Sequence, residues 1–255
     1  MTRAAEPQLY VIARPALDHE AITAFLRDEQ TTWRRTPGAT ASEELVEVAG
    51  RICYMSFGER QSPRTNAEYL ARLVEQGHHS VLEHASWTFL LAGVTRAFTH
   101  QLVRHRIGFS YSQLSQQYHD EREAHVVIPE ALRARPHLAA IWQDAVDEAR
   151  QAYRDLLDAL AREDIELSER ESLRLVRSAA RTVLPAATET KIAFSANARA
   201  LRHFLVERGS LSGDEEMRRV CVLILRAVRD DAPGLFSDLT TVEGPAGVEV
   251  VPSQR

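Results

Sequence analysis

Cysteine is nearly absent from this chain. Cys53 and Cys221 stand far apart and form neither a CxxC pair nor a metal-binding spacing. A disulfide framework is therefore excluded, and a reduced, cytoplasmic setting is expected. Long apolar runs are missing too. None approaches the roughly 20 residues needed to cross a bilayer, so no membrane association is expected. The opening Met1-Thr2-Arg3-Ala4-Ala5-Glu6-Pro7 is followed by no apolar signal region. There is no basic excess: the formal net charge is −5, which supplies no field for DNA or RNA. Aromatic residues are not interleaved with the arginines, which disfavours an RNA-binding module. GxGxxG and HExxH are both lacking, as are internal repeats and low-complexity segments.

What is present suits a folded catalytic or binding domain. At 255 residues, with 44% hydrophobic and 26% charged residues, the chain can bury a large core. A strand is expected at 9–13 and a helix through about Arg27, capped by Asp18. A loop at 28–40 leads to a helix opening at Ser42 and ending near Ile52. A third helix runs through Gln76, with Asn66 as its cap and Gly77 as its C-terminal glycine. Strand 86–92 leads into helix 95–105, which places Gln101, Arg104 and His105 at i, i+3 and i+4 on one face. A further strand is expected at 125–129, then a long amphipathic helix from Pro136 to Arg162 and another over 168–183, stopped by Pro185. Strand 190–196 precedes helices 197–208 and 214–230. The tail after Phe236 has no clear period. Strands and helices do not alternate regularly, so the fold class is α+β, as one catalytic domain over 1–255 with peripheral tails at 1–8 and 240–255.

The most informative segment is Arg104-His105-Arg106 with the hydroxyl- and amide-rich stretch Ser110-Tyr111-Ser112-Gln113-Leu114-Ser115-Gln116-Gln117. Guanidinium forks suit phosphate and carboxylate oxygens, and serine hydroxyls can complete such a site. The plain alternative is a cationic helix C-terminus satisfying the helix dipole. The cluster Gly77-His78-His79-Ser80-Val81-Leu82-Glu83-His84 is rich in ligand-type residues, but its spacing fits no zinc pattern and no metal is expected. Its structural alternative is a capped turn with Glu83 paired to an arginine. Gly108-Phe109-Ser110-Tyr111-Ser112 lacks the final glycine of a nucleophile elbow. Arg181 sits one turn before Pro185. Asn197, Leu201, Phe204 and Arg208 fall near one helical stripe, which suits a helix lining a pocket or a solvated helix edge.

In their order and identity these segments resemble the flavin-dependent thymidylate synthases, whose signature is Arg-His-Arg, seven residues, then Ser. The likeness runs from about Leu9 to Phe236 and includes Arg181-Thr182-Val183-Leu184-Pro185 and Asn197-Ala198-Arg199. It implies a ThyX-like α+β fold with long central helices and a small mixed or antiparallel sheet. It also implies a homotetramer whose active sites are shared between subunits. FAD would be the cofactor, with NADPH and 5,10-methylenetetrahydrofolate as co-substrates. The implied reaction places a one-carbon unit on C5 of a uridine monophosphate without a cysteine nucleophile. By match of position, Ser80, Glu83, Arg104, His105, Arg106, Asn197, Arg199 and His203 hold the flavin, and His78 lies near flavin and folate. Gln101, Gln113, Leu114, Ser115, Gln116, Gln117, Arg181 and Arg208 bind the nucleotide, with Arg181 suited to the phosphate. Arg208, with His78, carries the catalytic expectation through charge stabilisation on the pyrimidine.

Three features depart from the family pattern. Eight residues, Ile107 to Leu114, separate Arg106 from Ser115. Gln117 stands where an arginine is usual, and Ser212 where a histidine is common. Loss of an arginine at a substrate anion removes a contact worth about 1.5–3 kcal/mol. The expectation is an enzyme that accepts UMP as well as, or in preference to, dUMP, in a setting such as nucleoside-antibiotic biosynthesis. The alternatives are a dUMP-specific synthase making dTMP and a non-catalytic flavin- and nucleotide-binding paralogue.

Overall fold

Side-chain caps place most of the helix starts, because an oxygen at the N-cap satisfies an otherwise unpaired backbone N–H. The computed structural model describes residues 6–164, 166–244 and 247–253. Its elements run β1 Gln8–Ala13, α1 His19–Asp28, α2 Ala41–Ile52, α3 Asn66–Glu75, β2 Ser86–Thr95, α4 Arg96–Leu102 and β3 Phe109–Gln113. They continue with α5 Glu130–Arg133, α6 Pro136–Leu160, α7 Glu169–Ala180, β4 Glu189–Asn197, α8 Ala198–Arg208, α9 Glu215–Asp231 and a hairpin of β5 Leu239–Gly244 and β6 Gly247–Pro252. Asp18, Thr40, Thr65, Thr95, Ser168, Asn197 and Asp214 each cap the helix that follows. Mixed helices and small sheets make the fold α+β. The larger sheet has strand order β1-β2-β4-β3.

Contacts divide the chain into two compact units. The first comprises Met1–Gln8, Leu91–Arg104 and Tyr111–Ala193. Its α6 and α7 share an apolar seam of Tyr153, Leu157, Val176 and Ala180, with Leu160, Val183 and Leu184 packed against it. The second comprises Leu9–Leu90, His105–Ser110 and Phe194–Arg255. Its core buries Leu70, Leu82, Phe204, Ile224, Leu225 and Phe236. Burying a side chain of this size contributes roughly 1.5–3 kcal/mol. Ile22, Leu26, Val48 and Phe57 form a satellite cluster beneath α1 and α2.

The differences from the expected elements have local causes. Thr65, not Asn66, caps α3, through a box in which Thr65 Oγ1 accepts from Glu68 N and Glu68 accepts from Thr65 N. Asn66 is buried instead and donates to Glu47 Oε2 at 2.7 Å. The same box, Thr40 with Glu43, starts α2 one residue before Ser42. Helix α4 stops at Leu102, where the Tyr111 hydroxyl donates to the Leu102 carbonyl at 2.8 Å. Arg104 and His105 therefore leave the helix, and the common face expected for Gln101, Arg104 and His105 does not form. The segment read as a loop contains β3, whose Phe109, Tyr111 and Gln113 alternate with exposed Ser110 and Ser112. The strand expected at 125–129 reduces to one bridge, Val126 to Thr188. The segment after Phe236 forms an antiparallel hairpin, with Leu239 opposite Pro252 and Val250 buried; Val250 N donates to Gly209 O at 2.9 Å.

The assignment of Thr65 as cap and Asn66 as buried donor makes a testable contrast. Thr65→Ala is expected to lower the unfolding free energy by about 1 kcal/mol. Asn66→Ala should cost more, about 1–3 kcal/mol, because it strips a donor from a buried carboxylate. Urea denaturation of both variants measures the order, and equal or reversed losses contradict the assignment.

Candidate active site

β4 runs directly into α8, and Asn197 belongs to both. Its side-chain Oδ1 accepts from Ala200 N at 2.9 Å, and its backbone N–H donates to Gly108 O at 3.2 Å. Gly108 has φ +73°, and a Cβ there would lie 2.8 Å from both Ala200 Cβ and Asn197 Nδ2. Glycine thus permits both the backbone shape and the close approach. This junction presses the turn after Arg104-His105-Arg106 onto the start of α8.

A cavity of about 540 Å³ opens beside the junction. One wall is the turn with His79, Leu82 and Glu83; Ile107 and Gly108 form another. The third is α8, with Asn197, Arg199, Ala200, Arg202, His203 and Val206. Arg199 donates to Glu83 at 2.6 Å, so Glu83 does take the arginine partner expected of a structural turn, while the pair also lines the cavity. Arg202 forms two 2.6 Å bonds to the Asp238 carboxylate and a third to Leu235 O. Ile107 is 93% exposed, an apolar residue standing open at the rim. Cationic and apolar walls together suit an amphipathic ligand carrying negative charge.

His105 lies outside this lining, with its ring edge against Phe204 at 4.9 Å between centroids. Arg208 Nε donates to His105 Nε2 at 3.2 Å. An imidazole nitrogen accepts only when unprotonated, so this contact selects the neutral tautomer with the proton on Nδ1. Electrostatics agree: burial, and then the charges of Arg208 and His203, push His105 below the ordinary histidine value against an opposing pull from Glu207. His105 in turn orients the guanidinium of Arg208.

Among the positions assigned to flavin, Glu83, Asn197, Arg199 and His203 converge on one cavity. Ser80 and Arg106 are exposed and outside its lining, and Arg104 belongs to the first unit. His78 lines a different, smaller cavity, while its neighbour His79 lines this one. The stripe expected to line a pocket is split: Leu201 and Phe204 are core, and the cavity side of α8 is Arg199, Arg202, His203 and Val206. That i, i+3, i+4, i+7 spacing was visible in the chain, but charged residues on such a stripe read as solvated. Leu82, Ile107 and Ala200 carry no chemical signal that singles them out.

Gln101, Leu114, Gln113, Ser115, Gln116, Gln117 and Arg181 all belong to the first unit. Gln113 Nε2 donates to Thr99 Oγ1 at 2.8 Å and to Thr190 Oγ1 at 3.3 Å. Arg96 donates to Leu114 O at 3.1 Å, and Ser115 Oγ accepts from Gln117 N at 3.3 Å. Gln116 is buried, and Gln101 and Gln117 are half-buried. Burial and the charge of Arg181 lower Arg96 against the pull of Glu121, which places Arg181, Arg96 and a buried carboxylate near this loop. Burial raises Glu121 in spite of His119, Arg96 and Lys191. Arg177 donates to Tyr118 O at 2.7 Å, and Arg174 sits 5.9 Å from the Tyr118 ring. Cationic charge therefore surrounds the loop although position 117 is neutral.

Two outcomes are expected. Gly108→Ala should destabilise the protein by roughly 1–3 kcal/mol, from the positive φ and the two close contacts; a thermal melt unchanged from wild type would contradict the junction. His105 is held below its unfolded value, so its contribution to stability is full above about pH 6.5 and is lost as pH falls through the folded value. Melting between pH 7.5 and 5.5 should therefore drop less in His105→Gln than in wild type.

The family model described as Thymidylate synthase complementing protein matches residues 38–234. Proteins named flavin-dependent thymidylate synthase align over almost the whole chain. The one from Mycolicibacterium vanbaalenii is 42% identical over 239 residues, covering 91% of this chain and 93% of that protein. The one from Corynebacterium aurimucosum is 41% identical, covering 91% and 94%. The one from Mycobacterium marinum is 43% identical over 236 residues, covering 91% and 93%. Similarity of this extent means that the chain belongs to the flavin-dependent thymidylate synthase family.

Proposed function

We propose that this enzyme methylates C5 of a uridine 5'-monophosphate, UMP or dUMP, using 5,10-methylenetetrahydrofolate as one-carbon donor and FAD as cofactor. The observation that carries the reading is the convergence of Glu83, Asn197, Arg199 and His203 on one cavity beside the Arg208–His105 contact. The residues fit FAD. The Gly108 cradle excludes any side chain there, Ile107, Leu82 and Val206 offer apolar surface to a ring system, and Arg199 and Arg202 offer charge to phosphates. Arg106, exposed beside Ile107, adds positive charge on the same turn. FAD held by these residues would supply the hydride that completes the methyl group, with NADPH as its reductant.

The protein's own groups bind and orient. Arg181 and Arg96 provide positive charge for the nucleotide phosphate. Gln101, Gln113 and Leu114 to Gln117 form the nucleotide loop; Gln113, tied to Thr99 and Thr190, holds it in place. Arg208 donates to a pyrimidine carbonyl oxygen and steadies the negative charge that grows there as C5 becomes the nucleophile. Neutral His105 accepts from Nε and leaves the terminal guanidinium nitrogens for substrate. His78 and Ser80 complete the approach for folate and flavin. No cysteine is required: Cys221 is buried, and burial raises its thiol out of the reactive range. We place the enzyme in a homotetramer with shared active sites, working in the cytoplasm. Among the described residues no helix is long and apolar enough to cross a membrane.

Gln117 bears on the sugar. A neutral amide in place of an arginine relaxes a charge-assisted contact at the nucleotide and admits the ribose hydroxyl of UMP. Purified protein should bind FAD, oxidise NADPH faster when nucleotide is present, and yield a methylated product from dUMP or UMP by mass analysis. Flavin binding without product from either nucleotide would favour a non-catalytic paralogue and reject this proposal. Gln117→Arg should raise the dUMP-to-UMP rate ratio by roughly tenfold, the worth of one charge-assisted contact. An unchanged ratio assigns sugar choice elsewhere.

A further inference from the structure

A second cavity, of about 310 Å³, lies in the same unit and shares no lining residue with the first. Its lining includes Arg51, Arg60, Arg64 and Arg72, together with Tyr69 and His78. Arg51, on α2, is fully buried. Its Nε donates to Glu47 at 2.6 Å, its Nη1 to Ser56 O at 3.1 Å, and its guanidinium carbon sits 4.5 Å from the Tyr69 ring centroid. Its Nη2 is buried and has no partner among the described residues, and the same holds for the Oγ of Ser62, which also lines the cavity.

A buried cationic N–H without an acceptor is costly, and proteins seldom retain one. The remaining charge does not offset it. Among the described residues Glu47 is the one carboxylate bonded to Arg51, and it is shared with Trp33 and Asn66. Glu68 acts on Arg64 but is itself bonded to Thr65. Arg60, Arg64 and Arg72 are exposed around the buried guanidinium. A guanidinium fork with further arginines around it recognises carboxylate or phosphate oxygens. Water can satisfy one N–H, but it does not offset a concentration of like charge; an anion does both.

We propose that this cavity is an anion subsite for the charged end of a co-substrate: a carboxylate of the glutamyl tail of the folate, or a phosphate of the reduced nicotinamide dinucleotide. The inference rests on the function proposed above.

The test is equilibrium titration of the FAD-loaded protein, which needs no turnover. One pair of ligands is tetrahydrofolate with one or with four glutamates; the other is the oxidised dinucleotides NADP+ and NAD+, which carry the same phosphates and cannot reduce the flavin. Wild type is compared with Arg64→Gln/Arg72→Gln, and with each single variant should the double variant melt early. These side chains are exposed, so the fold should survive. For a carboxylate ligand, four glutamates should bind about tenfold tighter than one, and the variants should lose that gap. For a phosphate ligand, the preference for NADP+ over NAD+ should be lost instead. Either gap should narrow with added salt. No gap for either pair in wild type, or gaps that persist in the variants, would overturn the subsite. A tail preference that the variants abolish, in a protein that makes no methylated nucleotide, would uphold the subsite and reject the activity.

Discussion

The contact between Asn197 and Gly108 is the constraint on which the second unit's chemistry depends. One residue ends β4, caps α8 and holds the Arg-His-Arg turn through its backbone N–H. The approach is too close for any side chain at position 108. Because the turn is held there, His105 reaches the far end of α8 and accepts from Arg208, ten residues beyond the start of the helix. An α-helix keeps this distance fixed where a loop would not. The cavity beside α8 and the contact that orients Arg208 therefore share one mechanical origin.

A second constraint lies in a buried carboxylate. Glu47 receives Trp33 Nε1 at 3.2 Å, Arg51 Nε at 2.6 Å and Asn66 Nδ2 at 2.7 Å. Removing a carboxylate and a guanidinium from water costs several kcal/mol each, and their attraction repays this only when the remaining donors and acceptors are satisfied. Here they are not all satisfied: among the described residues Arg51 Nη2 and the Oδ1 of Asn66, beside Glu47, are buried without a partner. Such a deficit is hard to explain as a stability device, since a hydrophobic pair of the same volume would cost less. It is easier to explain as the cost of presenting a rigid buried cation to a ligand.

The helices were legible in the chain because capping residues and apolar period agree at Asp18, at Gly77 with its φ of +72° and along α7, while Pro136 at the first turn and the apolar period mark α6. β3 was not, because Ser110, Ser112 and Gln113 lack β propensity and the period-2 burial of Phe109 and Tyr111 is too short to stand out. The end of α4 depends on a hydroxyl nine residues away, beyond any local rule. Glu83, Asn197, Arg199 and His203, singled out in the chain, line one cavity, whereas the contact between His105 and Arg208 had no sequence signal. What escaped was the identity of the wall. Arg202 looks like any surface arginine until its pairing with Asp238 is seen, and nothing local in the chain says that His79 lines this cavity while His78 lines the other.

Net charge is a poor guide to this protein, for a reason visible in where the charges sit. The chain is acidic overall, yet its acidic side chains serve as caps and ion-pair partners: Asp18, Glu43 and Glu68 at helix starts, Glu83, Asp231 and Asp238 against arginines. Lys191 is the single lysine, so nearly every cation is an arginine. A lysine ammonium is a strongly hydrated point charge that keeps its freedom; a guanidinium holds its donors in a plane and tolerates desolvation better. Sites that must fix the direction of an anion, rather than merely attract it, gain from that choice. Both cavities are built this way, from arginines anchored through some of their nitrogens, Arg202 by Asp238 and Arg51 by Glu47. Directed binding of this kind survives in a molecule whose long-range field repels anions, because within a cavity the nearest charges outweigh a distant net charge screened over about 10 Å.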